Sequence, residues 1–156
     1  MPLKGAAEQA YYLCQRMEVQ SDIGNEELAP SHKIYQEVIE ICAGTTNVSD
    51  QPKALEIAFS CFNGMIRREI HPNARTYRFL LLSVANLLSE SDQRDEIALK
   101  VFTSACQSKE VNSLVISSLE KASKKAFENY KSKPERFINS SDDVKPDGAN
   151  FLCTTK

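Results

Sequence analysis

The side chains able to do bond-making chemistry are few and scattered. Two histidines, His32 and His71, five cysteines and the pair Asp142-Asp143 are the candidates for acid–base, nucleophilic or metal chemistry. A catalytic site needs a nucleophile beside a base, paired carboxylates or a metal cluster, and no spacing here supplies one. His32 falls in the first turn of a helix-forming stretch and His71 precedes Pro72, so both read as surface residues. Asp142-Asp143 reads as a solvated pair. Cys14, Cys42, Cys61, Cys106 and Cys153 are odd in number, and no two have metal-ligand spacing. The first four stand in apolar helical stretches, where a free thiol behaves as a small hydrophobe. They read as buried thiols in a reducing compartment. No glycine-rich loop is present to cradle a phosphate. The expectation is a protein with no catalysis, no metal and no cofactor.

The elements that must position any site follow from composition. At 156 residues the chain has room for one ordinary domain, and 42% hydrophobic residues suffice for a core. Lys+Arg 19 against Asp+Glu 21 leaves a charge of −2, which excludes a globally basic nucleic-acid coat but allows a local basic face. Gly 5 and Pro 6 are too few for a turn-rich β-sandwich. No apolar run approaches the roughly 20 residues of a membrane helix, so no membrane partner is expected. Met1 to Gly5 carries neither an apolar signal core nor an Arg/Ser-rich transit segment.

Apolar residues recur at helical spacing, and no stretch alternates with period two. The reading is all-α, with helices over 6–20, 31–43, 51–68, 74–89, 93–107 and 111–131, and an irregular tail over 134–156. Ser31, Asp50 and Asn73 are the expected N-caps of the second, third and fourth helices, with Asp92 or Asp95 opening the fifth. Pro52 suits a first turn, where its missing N–H costs nothing. Gly44 is expected to end the second helix in the left-handed conformation. Whether the last helix breaks at Ser123 is left open by an apolar stripe that runs on through Ala126 and Phe127. Leu55 to Phe62 and Phe79 to Leu82 are apolar over more than one stripe, which requires neighbours on both sides.

The chain also matches itself. Ala6, Glu8, Ala10 and Met17 fall on Ala54, Glu56, Ala58 and Met65. Ala98 to Phe102 follows Ala58 to Phe62 in character, and Pro30-Ser31 with Tyr35 recurs as Pro72-Asn73 with Tyr77. The unit is a helical pair that cannot bury its own face and must stack.

Ala58-Phe59-Ser60-Cys61-Phe62-Asn63-Gly64-Met65, then Ile70-His71-Pro72-Asn73-Ala74-Arg75-Thr76-Tyr77, resembles the pentatricopeptide repeat. Glu69 stands where that family usually has glycine, and Asn73 where it has aspartate. The resemblance covers about Ala6 to Ser108, weakens from Val111 to Tyr130 and is absent or accidental beyond, where Val144 to Asp147 imitates a repeat end. A related tetratricopeptide-type stack is the main confusion. The resemblance implies a right-handed superhelical solenoid of α-α hairpins over residues 1–133, whose first helices line a concave groove for single-stranded RNA. It also suggests a mitochondrion or chloroplast, although no presequence is visible.

By that resemblance, base selection pairs Gln36 with Asn73, and Arg78 with a poorly defined position near Glu110, while Lys33 and Arg75 flank the bases. The family usually has Asn, Thr or Ser at Gln36 and Arg78, and an aliphatic residue at Lys33 and Arg75, so the fold carries over better than the base code. Spacing adds an independent reading. Lys33/Gln36 and Arg75/Arg78 are i,i+3 pairs, each sharing a helix face, and stacked helices would set the pairs about 10 Å apart. Such a ladder holds phosphates without regard to sequence. It is also readable as a solvated helix face, which is what most surface Lys and Arg are, or as a protein-binding groove. Tyr35 and Tyr77 read as packing residues. The partner is therefore single-stranded RNA or a protein. A first helix without a hairpin mate adds self-association, or membership of a longer repeat array, as further expectations.

Overall fold

The computed structural model describes residues 5–138, and among these there is no strand. The helices are α1 (Ala6–Asp22), α2 (His32–Ala43), α3 (Gln51–Arg67), α4 (Ala74–Leu87), α5 (Asp92–Gln107), α6 (Ser113–Ala122), α7 (Lys124–Ser132) and the short α8 (Glu135–Ile138), with a 3-10 turn at Glu26–Leu28. The chain is all-helical. Helices α2, α4 and α6 touch in succession, α1 touches α3, and α5 touches α7. Each of α2, α4 and α6 also packs on the helix before it and the helix after it in the chain. No helix among the described residues is long and apolar enough to cross a membrane.

Local chemistry sets the helix starts. The Ser31 side chain accepts the Ile34 N–H, and Asn73 forms a reciprocal capping box with Thr76. Other starts differ from the sequence reading. Asp50 precedes α3 but makes no side-chain cap bond, while Pro52 does sit in the first turn. The fifth helix is capped by Ser91, which accepts the Arg94 N–H, rather than by Asp92 or Asp95. The helix expected over 111–131 is two helices. Ser123 adopts extended backbone between them, caps α7 through the Ala126 N–H, and donates its hydroxyl to Asp95 Oδ1 at 2.6 Å. Where an irregular tail is expected from residue 134, α8 instead brings Phe137 onto Phe102 and Tyr130 in edge-on ring contacts. Asp142, Asp143, Cys153 and the Val144 to Asp147 motif lie outside the described residues.

The helix ends carry the clearest repetition. Gly44 is not left-handed (φ −85°), contrary to expectation. Besides Gly5 ahead of α1, the residues with positive φ are Gly24, Glu69 and Lys109, at 113°, 57° and 58°. Each closes a helix by the same pair of backbone bonds. The N–H after it reaches back five residues, Asn25 to Gln20, Ile70 to Met65 and Glu110 to Ala105, and its own N–H reaches back three. Thus α1, α3 and α5 end alike, at shifts of 45 and 40 residues. The first shift is three shorter than the 48 given by the Ala6/Ala54 identities.

The core follows the same rhythm. Tyr35 and Tyr77 have no exposed surface. The Tyr35 hydroxyl donates to Glu18 Oε1 at 2.6 Å, and its ring lies against Gly64 of α3, where a Cβ would sit 3.1 Å from Tyr35 Cε1. The Tyr77 hydroxyl shares hydrogen bonds with Ser104 of α5 and with Ser108, that helix's C-cap, at 3.2 and 3.0 Å, and its ring meets Phe62 edge-on. Each tyrosine, early in its helix, packs late in the next, so both helix pairs are antiparallel.

Cys14, Cys42 and Cys61 are buried free thiols, and Cys106 is half-buried. Burial pushes Cys42 up to about 12 and Cys106 up to about 11. The Cys14 and Cys61 thiols share a hydrogen bond between α1 and α3, which lowers the first and raises the second.

Candidate binding groove between α4 and α6

Of the five residues singled out by the sequence, Arg75 and Arg78 line one groove together. Lys33 is exposed and pairs with Glu37 at 3.8 Å along its own helix. Gln36 is only 8% exposed, and its Oε1 is buried with no hydrogen-bond partner among the described residues. A buried amide is not a solvent-facing contact. Asn73 spends its side-chain oxygen on the Thr76 N–H of the capping box. It is a structural cap.

Arg75 and Arg78 remain on α4, and their surroundings differ. The Arg75 Nη2 lies 2.7 Å from Glu40 Oε1 of α2, an ion pair whose angle is not that of a hydrogen bond. Arg78 has no ion-pair partner among the described residues and lies over the Phe79 ring at 5.1 Å, with Arg75 on the same ring at 5.7 Å. The two guanidiniums, Ala74, Asn112 and Leu114 line one groove of about 190 Å³ between α4 and the start of α6. Lys33, Gln36 and Asn73 are not in it.

Arg78 shares the groove with Asn112, and Glu110 is not among the residues that line it. Asn112 is the N-cap of α6, as Asn73 is of α4, and its Oδ1 accepts the Leu114 and Val115 N–H groups at 3.1 and 3.0 Å. The 39-residue recurrence of an asparagine cap was the available signal. Glu110 does something else. Its Oε2 accepts the Ala74 N–H at 3.0 Å and its Oε1 lies 3.4 Å from His71 Nε2. The positive end of α4 is thus already occupied by a carboxylate of the chain itself. An incoming anion would meet Arg78 and the α6 cap instead.

No family model, curated protein or solved structure matches the chain. What the groove can do is then read from its own parts. Two guanidiniums, both over the Phe79 ring, offer planar donor forks, and Leu114, 51% exposed, supplies an apolar floor. Among the described residues, no group of three or more His, Cys, Asp or Glu side chains is placed to hold a metal. The groove is suited to an anion attached to something flat or apolar.

Proposed function

We infer that the chain is a non-catalytic helical-repeat binding module, a right-handed solenoid of α-α hairpins of pentatricopeptide type, which holds single-stranded RNA. The hairpin reading is supported by the three like-built helix closures and by the two tyrosines packed in equivalent places. The RNA reading is carried by one observation, the convergence of Arg75, Arg78 and Asn112 on a single groove between successive first helices. RNA lies there with a phosphate on Arg78 and a base against Leu114 and the Phe79 edge. Recognition is mainly electrostatic, because Gln36 is buried and Asn73 is consumed as a cap. The test is fluorescence anisotropy with a randomised single-stranded RNA pool at several salt concentrations. Two phosphate contacts correspond to a slope of log K against log salt of about −1.4 for a single strand. Absence of binding at low salt removes this reading.

A protein-interaction scaffold is the second reading, and a different observation favours it. Tyr12, Leu13, Val19 and Ile23 of the first helical segment are large apolar residues between 56% and 70% exposed. Apolar contact there would be nearly insensitive to salt, which separates the two readings.

A further inference from the structure

The like-built closures make α1, α3 and α5 comparable residue by residue. Five positions before the left-handed residue stand Val19, Gly64 and Ser104, and one position before it stand Ile23, Arg68 and Ser108. In α3 the first of these positions, and in α5 both, receive the buried tyrosine of an antiparallel helix. The Tyr35 ring lies on Gly64, and the Tyr77 hydroxyl bonds Ser104 and Ser108. In α1 the same positions are apolar and uncovered, Val19 at 56% and Ile23 at 70% exposure. Beside them Tyr12, Gln15, Arg16, Val19 and Gln20 line an open groove of about 350 Å³.

Charge says what sort of helix fits. From Glu18 to Glu27 the chain carries Glu18, Asp22, Glu26 and Glu27 and no Lys or Arg. Asp22 takes Arg68 at 2.8 Å and Glu18 takes the Tyr35 hydroxyl, while Glu26 and Glu27 stay exposed. Carboxylates at a helix C-terminus oppose that helix's own dipole and favour an approaching cation. An antiparallel helix would bring its positive N-terminal end there.

We propose that the Val19–Ile23 face of α1 docks an amphipathic helix of a partner protein, antiparallel to α1, with an aromatic side chain between Val19 and Ile23 and Lys or Arg in its first turns. This site is separate from the α4–α6 groove and does not depend on RNA binding.

The probe is a labelled synthetic peptide with the sequence of residues 73–88, which carries Tyr77 between Arg75 and Arg78. Titrated with the full chain, it should give a saturable anisotropy change that weakens as salt is raised. Val19→Asp with Ile23→Asp should weaken it at least about tenfold, and Tyr77→Ala in the peptide should do the same. Both α1 positions are exposed, so circular dichroism should not change and the melting temperature should fall only slightly, from two carboxylates added at the α1 C-terminus. If the Asp pair does melt, Val19→Gln with Ile23→Gln carries the same comparison. Absent binding, or equal binding to wild type and the α1 variants, overturns the proposal. So does a concentration-dependent dimer in light scattering that those variants dissolve, because a second copy then fills the face.

Discussion

Between α2 and α4, Arg75 turns back to Glu40 and the neighbouring Gln36 is buried. Between α4 and α6, Arg78 lies over Phe79 with no carboxylate paired to it among the described residues, and a groove opens beside Asn112. The two places are built from equivalent positions, since the shift of 42 that carries Tyr35 to Tyr77 also carries Gln36 to Arg78. The same shift carries Glu40 to Leu82. The carboxylate that offsets Arg75 therefore has no counterpart at the shifted position. Repetition supplies the scaffold twice, and departures from it decide which copy is left open to a ligand.

The largest effect should come from removing what both places share. Tyr77 is fully buried between α3 and α5 and supports α4, which borders both sites. Tyr77→Ala should cost about 3–5 kcal/mol in urea denaturation, from lost packing plus the cavity left behind. Tyr77→Phe keeps the ring and should lose about 1 kcal/mol for its hydroxyl bonds. A cost below about 1 kcal/mol for the alanine variant would mean that α4 is held independently of its tyrosine.

The next effect separates the sites by affinity. Arg78→Gln should weaken single-stranded RNA binding about tenfold, or about 1.4 kcal/mol, and flatten the salt slope by about 0.7. Arg75→Gln should weaken it less, because Glu40 already offsets that charge. Glu40→Gln should release Arg75 and strengthen binding. Equal losses at the two arginines would dissolve the distinction between a neutralised site and an open one.

These effects also mark what could be read in the sequence. Helix type, the Ser31 and Asn73 caps and the packing tyrosines were legible, because periodicity and cap chemistry are local. The helix closures were not. Glu69 and Lys109 are left-handed without being glycine, so no residue type announces them, whereas Gly44 offered the signal without the conformation. Arg75 and Arg78 were legible as a cationic pair. Their different fates depend on Glu40 and Asn112, which are distant in sequence and become neighbours only through packing. Burial of Gln36 is tertiary in the same way, as is the placing of Glu110 on the α4 start.

A smaller effect tests the buried member of the first site. Gln36 Oε1 is desolvated with no hydrogen-bond partner among the described residues. Gln36→Leu keeps similar bulk and removes the unsatisfied acceptor, so stability should rise by about 1 kcal/mol with RNA affinity unchanged. Loss of RNA binding in that variant would show that the side chain turns outward in the complex, and the α2–α4 site would then count as a second reader.

The smallest effect concerns the ion pair that divides the arginines. Arg75 is 58% exposed at its side chain and Glu40 26%, so solvent screens most of their attraction. A double-mutant cycle on Glu40→Gln and Arg75→Gln should return a coupling of about 0.2–1 kcal/mol that shrinks as salt is raised. The same cycle on Glu40 and Arg78 should return none. Arg78→Gln alone should lie within a few tenths of a kcal/mol of wild type. Its cation opposes the α4 dipole while its guanidinium gains from the Phe79 ring, and the two contributions are of similar size and opposite sign. A coupling of Arg78 to Glu40 as large as that of Arg75 would place both cations under one carboxylate. The open character of the α4–α6 groove would then have to come from its shape alone, and Glu40→Gln would strengthen RNA binding through both arginines at once.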